Sequence, residues 1–267
     1  MFQQMKYFDV YFLCQSANRL LSGGFERRVN DFFEPLFECY DTQNGYNKHS
    51  LLHSYCEWVV EQNIWDGRGI VGAIKEAYRM KEYSRKADSL WIDIALNEYC
   101  DKQYNVLTWI AQNSDTPINQ LTDTDLEELH REYLSYLWAE EVYDDFLLRI
   151  SNEMFYVLFQ NRAFLYNFNF FIAAYNQQIK KRLYVPKWVK NAVFFRDRGR
   201  CVFCRKDLSG IISIKESREV HYDHIIPLAN NGVNDVSNLQ LACQECNQQK
   251  RTNSSTSIYY QQWYEFD

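Results

Sequence analysis

With 267 residues, 46% of them hydrophobic and 24% charged, the chain can bury one large core or two ordinary ones. Only 9 Gly and 4 Pro exclude a loop-rich, all-β chain, and 20 Tyr, 18 Phe and 7 Trp predict an interior built from rings more than from branched aliphatics. The net charge of −6 is unevenly spread: residues 187–267 hold 11 Lys and Arg against 9 Asp and Glu, while the first 186 hold 18 against 26, a poor balance for phosphate contact.

The start, MFQQMKYFDV, lacks a basic segment followed by an apolar run and a small-residue cleavage site, so the expected compartment is the cytoplasm. Apolar periodicity then predicts helices over Phe25–Tyr40, Leu51–Trp65, Ile70–Tyr83 and Ser89–Asn113. Another begins in TDTDLEELHREYLSYL, where Thr124 and Glu127 suggest a capping box and Leu126, Leu129, Tyr133 and Leu137 recur at helical spacing. Phe146–Leu183 is expected to hold one or two more. Its uncharged part, Ala163–Ile179, contains five amides, too many for a membrane span, and reads as a buried helix. Cys14, Cys39, Cys56 and Cys100 are scattered singly, as buried structural cysteines are.

Tyr184-Val185-Pro186 ends this helical region, because Pro186 pushes Val185 off the helical conformation. Lys187–Asp197 opens a new helix, with Val189, Val193 and Phe194 expected inward and Lys187, Lys190 and Arg196 wet. Between Lys180 and Lys206 stand ten basic residues and one acid, Asp197. Composition, charge and cysteine spacing all change at Pro186, which predicts two domains, 1–185 and 186–267.

Beyond Pro186 come two thiol pairs, CVFC at 201–204 and CQEC at 243–246. Each is a knuckle whose sulfurs converge on one ion, and two knuckles supply the four thiolates of a closed, structural Zn²⁺ site at Cys201, Cys204, Cys243 and Cys246. Between them HYDHIIP at 221–227 alternates like a strand, LANNGVNDVSN is a loop, and a short helix should start near Gln244.

In CVFC, then DHIIP at 223–227, NLQLAC at 238–243 and CQECNQQK at 243–250, residues ~190–255 resemble the HNH nuclease family. The resemblance covers about a quarter of the chain and implies a small α+β ββα-metal domain with zinc knuckles, following a mainly α N-terminal domain. It implies that His224 is the general base that deprotonates the attacking water. Asp223 and Asn247 hold a catalytic divalent cation, and Asn238 braces the loop and orients the His224 ring. Many relatives carry His where this chain has Asn247; an amide oxygen with a carboxylate suits Mg²⁺ or Mn²⁺ better than Zn²⁺. His221 is open between reaching the metal or phosphate and simply facing solvent. Lys187, Lys190, Arg196, Arg198, Arg200, Lys250 and Arg251 are expected to contact the nucleic-acid backbone.

The expected function is a metal-dependent endonuclease acting on DNA, a monomer nicking and a dimer cutting both strands. A helical domain fused to a nuclease suggests control by that domain or by a protein partner, and a role in bacterial antiviral defence or restriction. A zinc-ribbon binding module without catalysis, or a homing or mobile-element nuclease, are the alternatives.

Overall fold

The computed structural model describes residues 10–22, 32–33, 45–82, 89–176, 181–210 and 220–257. Cys39, most of the helix expected over Phe25–Tyr40, and the end of Ala163–Ile179 lie outside them. The helices are α1 (Val10–Ser22), α2 (Leu51–Ile64), α3 (Gly67–Glu82), α4 (Trp91–Tyr99), α5 (Val106–Asn113), α6 (Asp123–Ala139), α7 (Tyr143–Gln160), α8 (Arg162–Tyr175) and α9 (Lys187–Arg196). Strands β1 (Val220–His224) and β2 (Leu239–Cys243) and helix α10 (Gln244–Lys250) follow. The chain is mostly helical and closes with a small ββα unit, as the resemblance implies. No helix among the described residues is long and apolar enough to cross a membrane.

Contacts gather into two compact units, residues 1–13 with 56–154, and residues 14–55 with 155–267. In the first, α3, α5 and α6 pack on one another. The helix expected over Ser89–Asn113 is broken at Cys100–Asn105. Asn97 takes the N–H of Tyr104 at 2.7 Å and returns its Nδ2 to the Tyr104 carbonyl at 3.0 Å, so the chain turns there. Asn105 then caps α5 by accepting from the Thr108 N–H at 2.9 Å. Buried Asp93 holds the break together, accepting from Leu90 N–H, Val106 N–H and the Tyr133 hydroxyl. The start of α6 also differs from expectation. Thr122 and Asp125, two residues before Thr124 and Glu127, form the reciprocal cap: the Asp125 N–H donates to Thr122 Oγ1 at 3.2 Å and the Thr122 N–H to Asp125 Oδ2 at 2.9 Å.

The second unit holds the ββα module. Its core holds an aromatic cluster, with Phe33, Tyr55, Phe164 and Phe168 fully buried and the Tyr55 and Phe168 centroids 5.3 Å apart. Among the described residues, however, buried Val, Leu and Ile outnumber the rings, against the expectation from composition. Within α8, Phe164, Leu165, Phe168 and Ile172 are buried. β1 and β2 pair antiparallel, with Val220 opposite Cys243, Asp223 opposite Gln240 and His224 opposite Leu239. Helix α9 packs on β2 through buried Val189 and Val193. Gly199, at φ +63°, ends the turn after α9; a Cβ there would meet Phe194 Cζ at 2.8 Å.

Candidate metal centre and active site

The two thiol pairs converge. The sulfurs of Cys201, Cys204, Cys243 and Cys246 all lie within 4.8 Å of one another. Tetrahedral Zn–S bonds of ~2.3 Å would set sulfurs about 3.8 Å apart, and Cys204 and Cys243 stand at 3.7 Å. The first knuckle closes by Cys201 N–H to Lys206 O and Arg205 N–H to Cys201 O, both 2.9 Å, with Arg205 at φ +64°. It joins the sheet through Val202 N–H to Leu241 O at 2.9 Å. Burial raises the Cys201 thiol, but the N–H groups of Cys204, Cys243 and Phe203 outweigh it, and the net shift is downward. Cys246 is pushed up to about 11, first by burial and also by the charge at Cys201. Four thiols this close cannot ionise together without a cation, which is what a divalent metal supplies.

The strand period of two divides β1. His221 and Asp223 share the face that meets α10, where Asn247 Nδ2 lies 3.4 Å from His221 Nδ1 and Lys250 Nζ lies 3.0 Å from Asp223 Oδ2. The same Oδ2 accepts from Gln240 Nε2 at 3.0 Å across the ladder. One carboxylate oxygen is thus held by two donors. A carboxylate, an amide and an imidazole stand together on this face; the first two offer the oxygen donors that a hard divalent cation would take.

His224, at the end of β1, is 5% exposed. Burial lowers its pKa to about 4, with the charges of Arg182 and Lys250 adding and the Asn234 contact opposing, so the ring is neutral near pH 7. Its Nε2 lies 3.3 Å from Asn234 Oδ1. Asn238 is hydrogen-bonded to the backbone of the loop between the strands. Its Oδ1 accepts from Ile226 N–H at 2.9 Å, and its Nδ2 donates to the carbonyls of Ile226 and Val233, both at 3.0 Å. These contacts commit the Asn238 side chain to backbone, and the side chain that faces the His224 ring is Asn234. Close approach also fixes Gly232, where a Cβ would sit 2.0 Å from the Ile226 carbonyl oxygen.

This loop is held from elements far away in sequence. Asp235 is buried, and its Oδ2 accepts from Leu51 N–H, the first amide of α2, at 3.0 Å. Its Oδ1 accepts from Ser237 N–H and Oγ at 2.9 and 2.7 Å. Asn176 donates to Asn231 O at 2.7 Å, Ser237 Oγ lies 3.4 Å from Asn169 Oδ1, and Asn234 Nδ2 donates to Lys181 O at 2.8 Å. Arg182 Nη2 donates to Tyr222 O at 3.2 Å.

The cations expected to contact nucleic acid separate into two groups. Lys187, Arg198, Arg200 and Arg251 are exposed, and half-buried Lys190 lies 4.9 Å from the Tyr184 ring centroid. Arg196, expected to be wet and to contact nucleic acid, is instead buried. Its guanidinium is fully buried, forks onto Asp197 at 2.9 and 3.0 Å, donates to Leu239 O and lies over the Phe159 ring. Lys250 is likewise buried, bonded to Asp223 and to His224 O at 2.7 Å, which leaves no face for phosphate. Sequence reasoning missed Asn234, Gln240 and Asp197. Nothing in NNGVNDVSN marks Asn234 apart from its neighbours, since its partners lie 10 and 53 residues away.

Residues 201–253 match the family model described as HNH endonuclease. The match takes in both thiol pairs, β1, β2 and α10. No curated protein and no solved structure matches the chain.

Proposed function

We propose that residues 186–267 form a metal-dependent endonuclease that hydrolyses phosphodiester bonds of DNA, with His224 as general base. The observation that carries this reading is a neutral imidazole next to a carboxylate with one oxygen already held, at the end of β1 in the segment matching the family model. Lys250 and Gln240 fix Asp223 Oδ2, leaving Oδ1 with the Asn247 amide oxygen as the donors that would hold Mg²⁺ or Mn²⁺, and His221 as a neighbouring third. When bound, that cation supplies positive charge where the phosphate gains negative charge in the transition state. His224 removes the proton of the attacking water, a role worth roughly 10²–10⁴-fold in rate. Lys187, Lys190, Arg198, Arg200 and Arg251 supply sequence-independent contacts to the backbone.

The helical remainder, 1–185 in the division at Pro186, is proposed as a regulatory part that takes a protein partner, in bacterial antiviral defence or restriction. Its acidic balance and the danger of an unrestrained nuclease to its own host support this. The deep burial of His224 favours a second reading, a nucleic-acid-binding module without catalysis. One experiment separates them. Supercoiled plasmid, single-stranded DNA and RNA are incubated with the zinc-loaded full chain and Mg²⁺ or Mn²⁺, beside His224→Ala. Metal-dependent nicking lost in the variant supports the nuclease; binding without cleavage by either protein supports the module.

A further inference from the structure

The polarity of two hydrogen bonds fixes more about His224 than its position. Asn234 Nδ2 donates to the main-chain carbonyl of Lys181 at 2.8 Å. A carbonyl oxygen only accepts, so this bond decides which end of the Asn234 amide is nitrogen. Oδ1 is therefore the end turned toward His224 Nε2, 3.3 Å away. An amide oxygen also only accepts, so in a neutral ring Nε2 must carry the hydrogen and Nδ1 keeps the lone pair.

We propose that Asn234, held by the Lys181 carbonyl, is the positioning residue that sets the tautomer and orientation of His224, making Nδ1 the atom that takes the proton of the attacking water. The inference rests on the nuclease reading, and it gives to Asn234 the task that the family resemblance assigns to Asn238. Asn238 cannot perform it while its amide is committed to Ile226 and Val233. Asn234 also ties the base to residue 181, which lies outside the segment that matches the family model. A base whose ring is aimed from outside the ββα module depends on the chain around that module.

Two readouts on the zinc-loaded full chain test this. Nitrogen-15 spectra of the histidine rings should show His224 protonated on Nε2 alone, with a slowly exchanging ring N–H proton. In Asn234→Leu, of similar size but with no acceptor, that proton should be lost to exchange. The kcat for plasmid nicking should fall about 10- to 100-fold with KM and zinc content unchanged. Asn234→Asp, which keeps an acceptor oxygen, should restore part of kcat. A wild-type His224 protonated on Nδ1 overturns the proposal whether or not the variants fold. So does an Asn234→Leu protein with the ring proton and kcat of the parent. If the parent cuts nothing, the nuclease reading fails, while the ring spectra still decide the tautomer.

Discussion

Arg196 sits in a run of cations, yet its guanidinium points inward, to Asp197, Leu239 O and the Phe159 ring. Asp197 in turn accepts from Leu241 N–H at 2.8 Å, so the pair ties α9 to β2. Removing Arg196 leaves Asp197 with Arg162 Nη1 at 3.7 Å and the Leu241 N–H, so the cost should fall at the lower end of the range for a broken buried pair, about 3 kcal/mol. Arg196→Ala should lose about that much in denaturant unfolding. Arg198→Ala, at an exposed position, should stay within ~0.5 kcal/mol of the parent and instead weaken DNA binding. Equal stability for the two variants would remove the distinction between buried and outward cations. At His224 the test is kinetic. His224→Ala should lower cleavage roughly 10²–10⁴-fold while DNA affinity holds, because a buried ring contributes little to gripping phosphate. Parent-rate nicking by this variant would detach the chemistry from β1.

At the scale of elements, the two strands and α10 are too short to form a stable domain from their apolar area alone. The thiol cluster compensates: it joins the knuckle after α9 to the start of α10, and a four-thiolate Zn²⁺ site can supply roughly 10–16 kcal/mol of apparent folding energy. Purified protein should carry about one tightly held Zn²⁺ per chain. Cys243→Ser should release it and open the segment around β1, β2 and α10 to protease. A zinc-free protein with that segment still protected would show that packing suffices. Much of this element was legible in sequence, because a Cys-x-x-Cys knuckle is a local motif and strand alternation needs only five residues. The break between α4 and α5 was not. Apolar periodicity runs through it, and the interactions that stop the helix come from Asn97 and the buried carboxylate of Asp93.

For the whole molecule, the change of composition at Pro186 and the network of contacts divide the chain differently. The loop carrying Asn234 and Asn238 is bonded to Leu51, Asn169, Asn176 and Lys181, all before Pro186. A chain beginning at Lys187 lacks every one of these partners, and it lacks Phe159 beneath Arg196. It should keep zinc, cleave at least ~10-fold less than the full chain, and show faster amide exchange over residues 225–238. A 187–267 fragment that cuts at the parent rate with the same exchange protection would show that the preceding residues only regulate.

The sequence by itself determined the thiol cluster, the β-β-α order, and Asp223 beside His224, because each is set by residues a few positions apart and by strand and knuckle geometry. Tertiary structure decided which cations remain outside, which amide faces the base, and which oxygen of Asp223 is already held. Those outcomes depend on burial and on hydrogen bonds between residues 10 to 184 positions apart, as in His224 with Asn234 and Asp235 with Leu51. No local pattern carries that information: Arg196 and Arg198 read alike in a basic run until Asp197 and Leu239 enclose the first.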